Sequence, residues 1–124
     1  GDGSFRMNMN ELTTIAIHKL PIIIIIANNQ TLGMVRQWQT LFYDKRYSAT
    51  TLDVAAPDFV KYAEAFGIAG YRVFDEKEFI AAFDEALASG KPAVIDSTMD
   101  IDEMVLPMVP AGKPIDELML DAQS

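Results

Sequence analysis

Two short polar motifs in this chain place oxygen donors where they could bind a metal ion. Asp2 lies between two glycines in Gly1-Asp2-Gly3, and 24 residues separate this motif from Asn28-Asn29, which closely follows a run of isoleucines at 22–26. Mg²⁺ prefers oxygen ligands at about 2.1 Å and often holds phosphate groups at the same time. If Asp2 and Asn29 lie close together, they can therefore bind a magnesium ion and, through it, a diphosphate.

A strand–helix–strand unit would bring these two motifs to one place. A right-handed crossover returns the chain to a parallel strand, and ligands of open α/β sheets collect beyond the carboxyl ends of the strands. Gly1 and Gly3 would let the backbone turn sharply and let phosphate oxygens approach the amides. The strand that should end at Asp2 lies before the first residue, and the chain does not begin with Met, so we expect a fragment that is truncated at its N-terminal strand.

The apolar periodicity predicts the elements that position these motifs. Phe5, Met9, Leu12 and Ala16 recur at helical spacing, with Ser4 or Asn8 as the expected N-cap. The segment 22–27 is β-branched without polar alternation, which is typical of a strand covered on both faces. We expect a second helix to open at Thr31.

The second half of the chain alternates helices and strands. We expect a helix opened by Ala56-Pro57-Asp58 and closed by Gly67, a strand at 70–74, a helix capped by Asp75 and closed by Gly90, and a strand at 92–98. This order predicts an α/β domain at 1–103, with a three-layer arrangement of a parallel sheet flanked by helices. Three prolines within 104–114 predict an extended tail at 104–124, with a short helix at 115–120.

Composition excludes several classes of function. The net charge is −8 and the pI is about 4.4, so nucleic acid and anionic membranes are not expected partners. The chain has no cysteine, which excludes disulfides and thiolate metal sites. Its longest apolar run, 20–27, is far shorter than the roughly 20 residues that a membrane span needs.

The two motifs and their surroundings resemble a known family. GDG, 24 residues and then NN is the pattern of thiamine-diphosphate-dependent enzymes. The segments GDGSFRMNMNELTTI, IIIIIANNQTLGMVRQWQTLFY and VLPMVPAGKP are similar to the catalytic subunit of the acetolactate synthase (acetohydroxyacid synthase) family. The resemblance covers essentially the whole chain and implies the C-terminal part of the domain that binds the diphosphate.

The resemblance implies a role for each matching residue. Asp2, the Asn29 side chain and the main-chain carbonyl of Thr31 would bind Mg²⁺, while Asn28 supports the turn. The residues that would contact the cofactor are Gly1, Asp2, Gly3, Ser4, Asn29, Thr31, Gly33 and Met34. The residues that would line the substrate channel are Met34, Val35 and Trp38. Without the resemblance, the helical stripe that contains Met34 and Trp38, with Leu41 and Phe42, is instead interpreted as core.

The resemblance also implies an activity and its cofactors. Members of the family decarboxylate pyruvate on thiamine diphosphate and join the hydroxyethyl unit to a second 2-oxoacid, which begins branched-chain amino acid synthesis. The full-length enzyme would carry FAD, form a homodimer or tetramer, and could bind a regulatory subunit. We expect it in the bacterial cytoplasm, or in an organelle of a eukaryote. The glutamate that activates the cofactor belongs to another domain, so no catalytic residue is expected here and the chain alone should be inactive.

Two other functions stay open on the residues alone. One is a different thiamine-diphosphate enzyme, such as a 2-oxoacid decarboxylase, oxidase or carboligase, and the other is a non-catalytic phosphate-binding module. His18, the single histidine, is interpreted as a solvated helix end, and Lys45 and Arg46 as surface residues that could also meet an anionic substrate. Asp96, Asp100, Asp102 and Glu103 lack a glycine turn and regular spacing, so we interpret them as a charged loop rather than a metal site.

Overall fold

The computed structural model describes residues 1–121 and consists of helices around a small parallel sheet. The helices are α1 (Asp2–Asn8), α2 (Leu12–His18), α3 (Gly33–Phe42), α4 (Phe59–Ala65) and α5 (Glu76–Ser89), with a short 3₁₀ turn at Met9–Glu11. The strands are β1 (Ile23–Asn28), β2 (Ala69–Val73) and β3 (Ala93–Thr98). The predicted α/β class and the order of the elements are confirmed.

The sheet has the strand order β1-β3-β2, and all its pairs are parallel. One face packs against α1, α2 and α4 through a cluster that includes Leu12, Ile26, Phe59 and Val94. The other face packs against α5 through Val73, Ala82 and Ile95. These are the three predicted layers, because side chains that alternate along each strand enter opposite clusters.

β1 lies at the edge of the sheet, which corrects one prediction. The isoleucine run led us to expect cover on both faces, but Ile25 is 46% exposed and Ile22 is 42% exposed. Ile26, in contrast, is 1% exposed in the core. Only one face of β1 is therefore fully covered, and its outer edge has no neighbouring strand among residues 1–121.

The first helical region differs from the predicted single helix. α1 begins at Asp2 with Gly1 as N-cap, so neither Ser4 nor Asn8 caps it, and no side chain bonds that end. The 3₁₀ turn breaks the helix where Asn8 leaves helical geometry (φ −133°, ψ 19°), in a stretch rich in asparagine, a weak helix former. α2 then ends at Lys19 in the left-handed conformation, shortly before Pro21.

The other caps follow the predicted chemistry. The Asp58 side chain accepts from the Lys61 amide (3.2 Å), and the Asp75 side chain accepts from the Glu78 amide (2.8 Å). Gly67 and Gly90 have φ values of 70° and 61°, which suit glycine at helix ends. The predictions at Asp58, Gly67, Asp75 and Gly90 are confirmed.

The tail beyond β3 contains turns and one isolated antiparallel bridge between Met108 and Met119. The predicted helix at 115–120 is wrong, because residues 115–117 form a turn and Met119 is in the bridge. Residues 122–124 lie outside the described part. Within 1–121, no helix combines the length and the hydropathy required to cross a bilayer.

Candidate functional site

A cavity of about 500 Å³ lies at the carboxyl edge of the sheet, where Asn29 follows β1 and Met99 follows β3. We call it the edge cavity. It brings together all eight predicted cofactor-site residues and the predicted channel residue Val35; the nine are Gly1, Asp2, Gly3, Ser4, Asn29, Thr31, Gly33, Met34 and Val35. Further residues that line it are Ala27, Leu32, Gln37, Met99, Glu103 and Val105. Two motifs that are distant in sequence thus meet in one cavity, as predicted.

Asp2 is the most unusual residue of the edge cavity. It is 1% exposed, and neither carboxylate oxygen has a hydrogen-bond partner within the described chain. The nearest cation is Arg6, whose Nη2 lies 3.8 Å from Oδ2, at the limit of an ion pair. Burying a carboxylate without a hydrogen-bond partner raises the free energy of the folded protein, so a positively charged ligand at Asp2 would stabilise it.

Asn29 and Thr31 form a tight turn on the opposite side of the cavity. The Asn29 Oδ1 accepts from the Thr31 amide at 3.3 Å. A Cβ at Gly33 would lie 2.7 Å from the Asn29 Nδ2, so a side chain here would displace the Asn29 amide from its present position. The Thr31 hydroxyl donates to the Thr50 carbonyl at 2.9 Å, which leaves the main chain of Thr31 as its possible metal ligand. Thr31 precedes α3 rather than opening it, since Leu32 is the N-cap.

Asn28 supports this turn from below, as predicted. Its Oδ1 accepts from the Gln30 amide (3.3 Å), and its Nδ2 donates to Asp96 Oδ1 (2.8 Å). Asp96 is 2% exposed in the central strand β3, so the prediction of a charged loop is wrong for this residue. Asp96 also pairs with Arg72 (3.4 Å), which in turn bonds Asp58 (2.7 Å).

The acidic residues after β3 also have separate structural partners. Asp102 accepts from Arg36 Nε at 2.8 Å, and this hydrogen bond raises the pKa of Arg36. The Asp100 side chain accepts from the Asp102 amide at 2.8 Å. Only Glu103 of this group lines the edge cavity.

The sharp turn predicted at Gly3 is wrong, while the predicted contact of its amide with phosphate stays a prediction. Gly3 lies inside α1 and makes no turn. A Cβ at this position would lie 3.0 Å from Leu52 Cδ1 and 3.1 Å from Leu32 Cδ2. The missing side chain therefore lets α1 approach Leu32, which lines the cavity, and Leu52.

α3 has its apolar residues outside and a polar residue inside. Its single buried residue is Gln37, whereas Met34 is 49% exposed and Val35 is 48% exposed. Met34 and Val35 also line a second cavity of about 620 Å³, the α3 groove, together with Trp38, Gln39, Tyr43 and Arg46. The interpretation of this stripe as core is wrong, and Leu41 is only partly buried. The alternative, a channel wall, places Met34 and Val35 between the two cavities.

Gln37 was missed by the sequence analysis. Its Nε2 donates to the Val105 carbonyl (3.1 Å) and its Oε1 accepts from the Val105 amide (2.8 Å). The side chain therefore pairs with one residue of the tail as a neighbouring strand would. It holds Val105, which lines the edge cavity, against α3. No sequence pattern indicates this contact, because glutamine in a helix is ordinarily solvated.

Replacing Gln37 by Met should release the tail from α3. Both hydrogen bonds with Val105 would be lost at nearly constant volume, so we expect the free energy of unfolding to fall by about 1–3 kcal/mol. Hydrogen exchange should show faster exchange of the Val105 amide. Gln39→Met is the matched control, because Gln39 bonds Ser48 and Thr50 in the loop that follows α3 instead. Equal protection of Val105 in both variants would contradict this role.

The remaining predicted residues lie away from the edge cavity. His18 is the exposed last residue of α2, which confirms its interpretation as a solvated end. Lys45 and Arg46 are exposed, and Arg46 lines the α3 groove. Trp38 lies in the groove and not in the edge cavity.

Residues 1–97 match the family model described as thiamine pyrophosphate enzyme, C-terminal TPP binding domain. The chain is 46% identical over 113 residues to the acetolactate synthase large subunit of Porphyra purpurea, covering 91% of this chain and 19% of that protein. It is 47% identical over 122 residues to the acetolactate synthase of Mycobacterium leprae, covering 95% of this chain and 20% of that protein.

A bacterial isozyme and a solved structure extend this comparison. The acetolactate synthase isozyme 2 large subunit of Escherichia coli is 45% identical over 119 residues, covering 96% of this chain and 22% of that protein. The thiamine diphosphate-dependent 4-hydroxybenzoylformate decarboxylase of Rhodococcus jostii superposes with a TM-score of 0.74 and 33% identity, over 84% of this chain and 19% of that one. The chain thus spans about a fifth of the length of these relatives.

Proposed function

The chain belongs to the thiamine pyrophosphate enzymes, whose C-terminal cofactor-binding domain its residues 1–97 match, and from this premise we propose that it is the cofactor-anchoring part of an acetolactate synthase. The observation that carries the proposal is the buried Asp2 carboxylate, which has no hydrogen-bond partner and shares a cavity with Asn29 and Thr31. The identity of 45–47% to acetolactate synthases from bacteria supports the choice of enzyme.

The donor set of the edge cavity fits Mg²⁺. Asp2, the Asn29 side chain and the Thr31 carbonyl are hard oxygen ligands, and magnesium completes an octahedron with phosphate oxygens and water. The two unpartnered oxygens of Asp2 support a cation there, because a bound cation would remove the cost of burying them. Among the described residues no three His, Cys, Asp or Glu side chains come together, so the amide and the carbonyl are needed as ligands.

The first turn of α1 would hold the diphosphate. The Phe5 amide donates to the Gly1 carbonyl at 3.0 Å, and the amides before it have no acceptor within the helix. Those of Gly3 and Ser4 lie beside Asp2 and can donate to phosphate oxygens. Gly33 would contact the cofactor on the other side.

The remaining residues would shape the path of the substrate. When bound, thiamine diphosphate supplies the electron sink for the decarboxylation of a 2-oxoacid. Met34 and Val35 separate the edge cavity from the α3 groove, so they would exclude water from one side and contact the 2-oxoacid from the other. Trp38 would line the entrance.

The assembly is part of the same proposal. The full-length protein would carry FAD, use pyruvate and a second 2-oxoacid in branched-chain amino acid synthesis, and form a homodimer or tetramer. The relatives named as large subunits support a smaller regulatory subunit. A cytoplasmic location would follow in a bacterium and an organellar one in a eukaryote. The boundary between a domain at 1–103 and a tail at 104–124 also stays a proposal.

Product analysis of the intact natural protein tests the activity. With pyruvate, Mg²⁺ and thiamine diphosphate we expect acetolactate as the main product. Acetaldehyde or acetyl phosphate as the main product would favour the rival thiamine-diphosphate enzymes, which the likeness to a decarboxylase keeps in consideration. Calorimetry that detects binding of ATP but not of thiamine diphosphate would instead favour a phosphate-binding module.

A further inference from the structure

Arg6 is the cation nearest to the buried Asp2 carboxylate, although the two groups are not hydrogen-bonded. It lies one helical turn later on α1, at the i+4 spacing that brings side chains together, and its Nη2 is 3.8 Å from Asp2 Oδ2. Its Nε is buried without a hydrogen-bond partner, and its guanidinium carbon lies 6.0 Å from the centre of the Phe59 ring. The charge of Arg6 is thus held close to the proposed metal ligand in surroundings that screen it poorly.

Arg6 also contacts the segment that fixes the second ligand group. Its Nη2 donates to the Leu52 carbonyl at 2.7 Å. The Leu52 amide in turn donates to the Gln30 carbonyl at 2.8 Å, and Thr51 forms a bridge with Thr31. One guanidinium therefore lies between α1 and the segment that holds Thr31, and it cannot move away from Asp2 without losing the bond to Leu52.

We propose that Arg6 makes metal binding in the edge cavity conditional on the diphosphate, an inference that rests on the proposed function. Asp2 and Arg6 together carry no net charge, so Mg²⁺ alone would bring these three groups to a net charge of +2, and the metal and the fixed guanidinium would repel each other. A diphosphate ester brings roughly three negative charges near neutral pH, by the acidity that gives a phosphate monoester about −1.5 to −2. With both ligands bound, the net charge is about −1, and the guanidinium then attracts the complex.

The same residue therefore acts with opposite sign on two ligand states. Arg6 weakens binding of the metal alone and strengthens binding of the metal together with the diphosphate. It therefore increases the coupling between the two ligands, that is, the factor by which one bound ligand raises the affinity for the other. Because this coupling is reciprocal, it can be measured from the metal alone. Arg6 is thus a specificity-determining residue for loading of the cofactor.

The test measures Mn²⁺ binding to the intact natural protein by electron paramagnetic resonance, with and without thiamine diphosphate. Arg6→Gln removes the charge but keeps a donor for the Leu52 carbonyl, and Arg6→Lys keeps the charge. Without thiamine diphosphate, we expect Arg6→Gln to bind Mn²⁺ at least about threefold more tightly than the wild type does. The gain in Mn²⁺ affinity caused by thiamine diphosphate should fall at least about tenfold in this variant and persist in Arg6→Lys.

The controls separate this inference from the proposed function. Lys61→Met removes a positive charge from a side chain that is 81% exposed on α4, and its coupling should equal that of the wild type. Arg6→Met is a second variant without the charge, in case Arg6→Gln does not fold. If a folded variant of either kind has the same coupling as the wild type, the proposed role of Arg6 is wrong. Wild-type protein that binds Mn²⁺ no better with thiamine diphosphate than without it would overturn the proposed function itself.

Discussion

Asp2→Asn is expected to weaken Mg²⁺-dependent binding of thiamine diphosphate at least about a hundredfold and to stabilise the metal-free protein. The substitution keeps the shape of the side chain and removes its charge. A hundredfold loss corresponds to about 2.7 kcal/mol, which is modest for a charged ligand that directly contacts a divalent ion. A loss of cofactor affinity together with a gain in stability would identify Asp2 as a group that serves ligand binding and not the stability of the fold.

The gain in stability follows from the surroundings of Asp2. Both carboxylate oxygens are buried without a hydrogen-bond partner, and the pair with Arg6 is long at 3.8 Å. Removing an unsatisfied buried charge should return about 1–3 kcal/mol to the free energy of unfolding. Arg6 loses little in exchange, because it keeps its 2.7 Å bond to the Leu52 carbonyl.

Calorimetry with thiamine diphosphate and Mg²⁺, together with urea unfolding without ligands, measures both effects. Asp44→Asn is the matched control, since Asp44 is an exposed loop residue whose positive φ of 51° asparagine also tolerates. It should change neither quantity. If Asp2→Asn binds the cofactor like the wild type, Asp2 is not the anchor. A large loss of stability would instead show that Asp2 is a structural residue.

The place of the edge cavity was predictable because it depends on local sequence signals and on the parallel arrangement of the strands. A β-branched run before Asn28 predicts a strand, and parallel strands expose their carboxyl ends at one edge. With the further expectation of a strand that ends at Asp2, those two facts place Asp2 and Asn29 at the same edge. The caps at Asp58 and Asp75 were equally predictable, since each side chain bonds an amide three residues away.

The parts that were wrong depend on contacts between distant segments. Apolar periodicity predicts which residues share a face of α3, but not whether another element covers that face. Met34 and Phe42 were therefore candidates for the core on the residues alone, although they are 49% and 42% exposed. Likewise, the close packing at Gly3 depends on Leu32 and Leu52, and the role of Gln37 depends on Val105, 68 residues later. Such pairs leave no mark on the local sequence.

Asp96→Ala should lower the free energy of unfolding by about 2 kcal/mol, within the range for leaving a buried donor without its acceptor. Asp96 is 2% exposed on the central strand, where it accepts from Asn28 Nδ2 at 2.8 Å and pairs with Arg72 at 3.4 Å. Its loss leaves the Asn28 amide without an acceptor beneath the Asn28-Asn29 turn. The affinity for thiamine diphosphate should therefore fall together with the stability.

The second partner of Arg72 provides the comparison for this effect. Asp58 pairs with Arg72 at 2.7 Å nearer the surface, and the Lys61 amide together with Arg72 holds the pKa of Asp58 below its ordinary value. Asp58→Ala should cost only about 1 kcal/mol, as the loss of an N-cap does, and should leave cofactor affinity unchanged. Urea unfolding and calorimetry on Asp96→Ala, Asp96→Asn and Asp58→Ala measure the contrast. Asp96→Asn keeps an acceptor for Asn28, so it should retain most of the cofactor affinity.

Equal losses of affinity in Asp96→Ala and Asp58→Ala would contradict this role. They would mean that the ion pairs of Arg72 stabilise the sheet and that Asp96 does not position the Asn29 turn.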